Sequence, residues 1–96
     1  MKVKLTTTTR RRLQQIKDKH SKSKSRQVIR SFYKHAKQLE DYPELGKTEK
    51  YLEHEGKGHR SIVIDKLYKL IYLIASPFIF ITDVFDTRQD PDKMKP

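Results

Sequence analysis

Three basic residues lie on or beside the β-strands predicted for the second half of the sequence. Arg60 begins one strand, Lys69 lies in the next, and Arg88 follows the last. Antiparallel pairing can bring such positions toward one end or face of a sheet, where clustered cations would bind phosphate or stabilise charge that develops on it. The alternative is that each is an exposed sheet residue, with Lys69 blunting a strand face and Arg88 pairing with Asp86 or Asp90.

The two-residue period of a strand bears on whether these cations meet. Arg60 has the same parity as Ile62 and Ile64, and Lys69 has the same parity as Ile71 and Leu73. Each cation therefore shares a face with apolar residues, and that face is either partly apolar or opens at the end of the strand. Convergence of the cations is an expectation that depends on how the strands pair.

Other catalytic templates are missing from the sequence. It has no glycine-rich phosphate loop and no GxSxG motif, and its four histidines lack the spacing of a helical metal pair. It also has no cysteine, which excludes thiolate metal sites and cysteine nucleophiles. We therefore expect neither a metal nor a cofactor.

The net charge of +10 is concentrated in the first part of the chain. Residues 1–42 hold thirteen Lys and Arg against three acidic residues, whereas residues 43–96 hold nine of each sign. Such asymmetry points to a polyanion or an acidic protein partner, and the alternative is a solvated helix surface with no partner. The candidate binding residues are Arg10, Arg11, Arg12, Lys17, Lys24 and Arg26.

Apolar residues at helical spacing predict two helices. A polar run with Thr8 or Thr9 as the N-cap precedes a helix that begins near Arg10. A second polar stretch then offers another cap, and a stronger apolar stripe follows. That stripe comprises Val28, Ile29, Phe32, Tyr33, Ala36 and Leu39. The second helix should end before Pro43, and the short link predicts an antiparallel helical hairpin.

Four strands complete the prediction. Val3 and Leu5 alternate with lysines in a short first strand. Residues 60–64, 68–75 and 78–85 are rich in Ile, Val, Tyr and Phe, and their links are too short for anything but hairpins. The last run is apolar at nearly every position, which favours the central place in the sheet. We predict one α+β domain over residues 1–96, in the order β-α-α-β-β-β, with the hairpin packed on a mainly antiparallel sheet.

The N-terminus has basic residues but no apolar segment typical of a signal peptide, and no apolar run approaches the ~18 residues of a membrane span. We expect a cytoplasmic protein that does not contact a membrane.

The order of five short motifs resembles that of the RelE/ParE superfamily, the toxins of bacterial type II toxin–antitoxin systems. The motifs are KVKL near the N-terminus, LEDYPELGK over Leu39 to Lys47, HRSIVI over His59 to Ile64, YKLIY over Tyr68 to Tyr72, and VFDTRQDP over Val84 to Pro91. The resemblance covers nearly the whole chain. It implies a strand, a helical hairpin and a three-strand meander that curves beside the helices, together with a cognate antitoxin whose toxin-binding segment is acidic or amphipathic.

The resemblance implies one of two activities. RelE-like members cleave messenger RNA in the ribosome with basic residues on the sheet, often with a Tyr or His near the C-terminus, and Arg60, Lys69 and Arg88 lie at or near matching positions. ParE-like members poison DNA gyrase without a known catalytic residue. The basic residues favour the nuclease.

Two departures count against the nuclease. Ile62 stands where the RelE-like cluster often has a second lysine, and no Tyr or His follows Arg88. RNA cleavage through the 2′-hydroxyl needs a base and an acid, for which His59 and Asp86 are the candidates. A rival from another class is a non-enzymatic basic module that binds nucleic acid through the helical hairpin.

Overall fold

The computed structural model describes residues 1–96, and its strands and helices follow the predicted order with one additional strand. The elements are β1 (Lys2–Leu5), α1 (Thr7–Lys19), α2 (Lys22–Asp41), β2 (Lys47–Thr48), a 3-10 helix (Lys50–Glu55), β3 (Arg60–Ile64), β4 (Tyr68–Ala75), β5 (Phe78–Asp86) and a second 3-10 helix (Pro91–Lys93). Both α-helices are too short or too polar to cross a bilayer. The predicted α+β fold is confirmed.

The start of α1 differs from the prediction, because Thr6 is the N-cap instead of Thr8 or Thr9. The Thr6 hydroxyl accepts a hydrogen bond from the Thr9 amide at 3.2 Å. The Thr6 amide and the Thr9 hydroxyl both donate to the Ile81 carbonyl of β5, at 3.1 and 2.7 Å. Contact with β5 therefore decides which of four consecutive threonines caps the helix, and local propensity does not distinguish them.

The buried side of α2 agrees with the predicted stripe except at one residue. Ser21 caps the helix by accepting from the Lys24 amide at 3.2 Å, and the helix ends at Asp41, before the proline. Phe32 is fully buried, whereas the adjacent Tyr33 is 53% exposed. Tyr33 was predicted on the apolar face and lies at its margin, where its ring packs edge-on against Phe32.

The sheet has five strands in the order β1-β5-β4-β3-β2. β3, β4 and β5 form the predicted antiparallel meander, and β1 pairs in parallel with β5. The last strand was predicted at the centre, but β4 occupies that place, and β5 is an interior strand between β1 and β4. β2 was not predicted, because Lys47 and Thr48 carry no apolar alternation and pair only at the end of β3.

A bulge in β5 changes which of its residues face the larger core. The register shifts between Ile71 and Tyr72, so Ile81 and Asp83 oppose consecutive residues of β4. Ile81 and Val84 consequently both pack in the larger core under the helices. Phe85 packs on the opposite face, in a smaller cluster with Leu52, Ile71 and Met94.

Phe32→Ala should lower the free energy of unfolding by about 3–5 kcal/mol, since it removes a fully buried ring from the larger core. Tyr33→Ala is the matched control, because it removes a neighbouring aromatic ring that is half exposed. We expect the control to cost about 1 kcal/mol or less. Urea denaturation followed by circular dichroism measures both, and equal losses would contradict the assigned helix face.

Candidate functional site

Arg60 lies on the face of the sheet that the helices cover, and it holds the turn that follows α2. It pairs with Tyr72 across β3 and β4, and its guanidinium donates to the Gly46 carbonyl at 2.6 Å. The Tyr72 hydroxyl donates to the Pro43 carbonyl at 2.7 Å and accepts from the Gly46 amide at 2.8 Å. A Cβ at Gly46 would lie 2.7 Å from the Ser61 carbonyl oxygen, so the turn approaches the sheet too closely for another residue.

Lys69 lies on the opposite face of the sheet, where it neutralises a buried carboxylate. Its ammonium donates to Glu49 Oε1 at 2.9 Å, and Glu49 is only 2% exposed. The Ser61 hydroxyl and the Tyr51 amide also donate to Glu49, at 2.8 and 3.0 Å. Burial alone would raise the pKa of Glu49, but these hydrogen bonds outweigh it and lower the pKa. Glu49 is therefore ionised, and Lys69 is its counterion.

Arg88 is held at the end of β5 by Asp86. The guanidinium donates to both carboxylate oxygens, at 3.1 and 2.9 Å, and the Arg88 amide adds a third bond at 2.9 Å. These bonds from Arg88, with a weaker one from Lys19 at 3.4 Å, lower the pKa of Asp86 to about 2. Arg88 therefore pairs with Asp86, which is one of the alternatives that the sequence analysis left open for it. A carboxylate with so low a pKa is ionised at neutral pH and is a poor general base there.

A histidine and a tyrosine lie next to this ion pair, although neither follows Arg88 in the sequence. Asp86 pairs with Tyr68 across β4 and β5, and His20 Nε2 lies 2.7 Å from the Tyr68 hydroxyl. Tyr68 is 3% exposed, and burial, followed by the charge of Asp86, raises its pKa. No sequence pattern indicates this contact, because His20 and Tyr68 are 48 positions apart.

The three basic residues do not converge. Arg60 and Lys69 lie on opposite faces, as their parity and the register of β3 with β4 require. Arg60 pairs with Tyr72 of β4, whereas Asp86, which holds Arg88, pairs with Tyr68. Tyr72 and Tyr68 are four residues apart in β4, which separates Arg60 from Asp86 by about 13 Å along the strand. No single phosphate group can contact all three cations.

His59 is buried immediately before β3. It is 2% exposed, and its Nδ1 has no hydrogen-bond partner. Burial, assisted by the charge of Lys57, lowers the pKa of His59, so the ring is neutral near pH 7. A buried ring offers no contact to a large substrate at the surface.

The six basic residues predicted for binding on the helices separate into two groups. Arg12 pairs with Asp83 at 3.0 Å, and Lys24 pairs with Asp65 at 2.6 Å. The other four side chains are exposed and make no ion pair; they are Arg10, Arg11, Lys17 and Arg26. The prediction omitted four further exposed cations of α2, namely Lys22, Arg30, Lys34 and Lys37. Their regular spacing in the sequence was a usable signal.

A protein-family model matches most of the chain. The model described as "ParE toxin of type II toxin-antitoxin system, parDE" matches residues 3–91. Comparison with curated proteins gives no match.

Acid titration of stability tests the Asp86 ion pair. The pKa of about 2 lies below the ordinary value of 3.8, so the stabilisation is complete above about pH 4 and is lost as the pH falls toward 2. Asp86→Asn should cost about 2 kcal/mol of unfolding free energy at pH 7 and much less at pH 2. Urea denaturation at both pH values measures the difference. Asp92→Asn, at an exposed carboxylate, should change little at either pH, and equal behaviour of the two variants would contradict the ion-pair assignment.

Proposed function

The chain belongs to the ParE toxin family of type II toxin–antitoxin systems, and from this premise we propose that it arrests growth by poisoning DNA gyrase and not by cleaving messenger RNA. As a member of that family it is the toxin of such a system, and its partner is a cognate antitoxin. The proposal concerns the target and the mechanism. It includes an acidic or amphipathic toxin-binding segment in the antitoxin and action in the cytoplasm, where gyrase works.

One observation carries the proposal: the basic residues of the sheet are separated, and each already has a role in the fold. Arg60 donates to backbone carbonyls, Lys69 neutralises a buried glutamate, and Arg88 is bound by both oxygens of Asp86. Stabilising a phosphoryl transition state requires preorganised cations aimed at one developing charge. A toxin that acts by binding a protein target needs no such convergence.

The second candidate is the ribosome-dependent nuclease, which the His20–Tyr68 contact favours. It lies beside Asp86 and Arg88 and supplies the imidazole and phenol that the sequence after Arg88 lacks. In this reading Arg88 stabilises charge, with Arg60 and Lys69 holding RNA and His59 or Asp86 moving protons. The burial of Tyr68 and the ionised state of Asp86 weigh against it.

Brief induction in bacteria separates the two mechanisms. A gyrase poison should induce a DNA-damage reporter while messenger RNA 5′ ends remain unchanged, and the purified protein should inhibit supercoiling of plasmid DNA by gyrase. New 5′ ends without a damage response would overturn the proposal in favour of the nuclease. Continued growth with neither signal would leave the basic binding module in place of an active toxin.

The paired substitution Glu49→Gln with Lys69→Gln should leave toxicity intact. It replaces an ion pair by two amides that can still hydrogen-bond, whereas Lys69→Gln alone would leave a buried carboxylate without its counterion at a cost of about 3–5 kcal/mol. Growth inhibition after induction is the readout, and thermal denaturation verifies that the double variant folds. Loss of toxicity by a folded double variant would contradict the gyrase mechanism and support a catalytic Lys69.

A further inference from the structure

Five cations occupy one side of α2. They are Lys22, Arg26, Arg30, Lys34 and Lys37, and all five are exposed. At 3.6 residues per turn they fall within an arc of about 120°, and at 1.5 Å per residue they extend for about 22 Å along the helix. We call this side of the helix the basic face.

None of the five takes part in an ion pair, although cations elsewhere do. Arg12, Lys19 and Lys24 of the same helical hairpin each reach an aspartate from the sheet or its turns. Acidic residues are thus available to neighbouring cations, and none is directed at the basic face. Its charge is therefore uncompensated within the protein.

The placement of these charges opposes the stability of the helix. Lys22, Arg26, Arg30 and Lys34 succeed one another at four-residue intervals, and like charges at that spacing repel. The first turn has no acidic residue, and the only acids of the helix, Glu40 and Asp41, are at its C-terminal end. Both features are the reverse of what the helix dipole favours. A helix selected only for solubility would interleave acidic residues among the cations.

The surroundings of the basic face are polar. Ser23, Gln27, Ser31 and His35 form a second row beside the cations, and no apolar residue lines the groove between the two rows. Lys17 of α1 lies with Lys22, Arg26 and Arg30 in an adjoining groove, which extends the positive surface onto the first helix. A docked protein segment usually buries several apolar side chains in the centre of its site. This surface offers only Tyr33, which is 53% exposed, and Ile29, which lines the adjoining groove.

We propose that the basic face binds the sugar–phosphate backbone of duplex DNA without reading its sequence. Its length of about 22 Å corresponds to about six base pairs of duplex at 3.4 Å per phosphate of one strand. Tyr33 is the one exposed aromatic residue of the helix, whereas single-strand binding relies on several aromatic rings for successive bases. The contact would keep the protein on DNA, and it requires neither gyrase nor any other protein.

The salt dependence of binding tests this assignment. Fluorescence anisotropy with a labelled 20-base-pair duplex of arbitrary sequence measures affinity over a series of salt concentrations. The variant Arg26→Gln, Arg30→Gln, Lys34→Gln should bind more weakly, with a log–log salt slope shallower by roughly three, about 0.9 for each phosphate contact removed. A second duplex of unrelated sequence should bind with the same affinity.

The matched control removes the same charge elsewhere. Lys50→Gln, Lys57→Gln, Lys93→Gln changes three exposed lysines outside the two α-helices and should leave the slope nearly unchanged. Neither variant should lower the melting temperature, because all six side chains are exposed and make no ion pair. Removing like charges from α2 should, if anything, raise it slightly. An equal loss of affinity and of salt slope in the two variants would show that binding depends only on the net charge, and it would overturn the proposal.

Two competitors test the nature of the partner. A single-stranded 20-mer that binds more tightly than the duplex would overturn the duplex assignment. A ten-residue oligoglutamate that displaces the duplex at equal concentration would assign the basic face to an acidic protein segment and overturn the proposal. Failure of the duplex to bind the unmodified protein even at low salt would also overturn it. None of these results depends on toxicity or on gyrase.

Discussion

The pairing of β1 with β5 is the contact on which the rest of the structure depends. It joins the first strand of the chain to the last, and the Ile81 carbonyl at the end of this pairing receives both the Thr6 amide and the Thr9 hydroxyl. The chain is thereby turned into α1 at a fixed point over the sheet. The hairpin then lies on one face, and the bulge in β5 lets Ile81 and Val84 both point into the core beneath it.

The packing of the helical hairpin on the sheet also decides which charges of the protein are neutralised. The second half of the sequence is neutral, yet its carboxylates also pair with cations of the first half. Asp83 pairs with Arg12, Asp86 with Arg88 and Lys19, and Asp65 with Lys24. Buried or partly buried carboxylates need a cation nearby because desolvation penalises an unpaired charge. The sheet therefore neutralises the side of the hairpin that contacts it, and the excess charge remains on the side that faces solvent.

The separation of neutralised from exposed cations bears on which charges a partner can reach. The fold supplies a sheet with basic residues at several positions, but the position of a cation does not reveal whether its charge is available. Lys69 and Arg88 form ion pairs with Glu49 and Asp86, and Arg60 donates hydrogen bonds to backbone carbonyls. The exposed cations of α2 have no such partners.

The sequence by itself determined the class of fold. The stripe containing Val28, Phe32 and Leu39 specified α2, and the apolar runs with short links specified the meander, because periodicity and link length act locally. It also determined that Arg60 and Lys69 each share a face with apolar residues, since parity in a strand is fixed. The resemblance to the toxin family, read from five short motifs, agrees with the family match over residues 3–91.

Only the tertiary structure decided where the charged residues act. The register of β3 with β4 puts Arg60 and Lys69 on opposite faces, and register depends on pairing between distant segments. The choice of Thr6 as N-cap and the contact of His20 with Tyr68 likewise depend on residues far apart in the chain. The catalytic roles assigned to the sheet residues remain predictions. A sequence gives the number and sign of its charges, but which of them are neutralised depends on the partners that folding brings within hydrogen-bond distance.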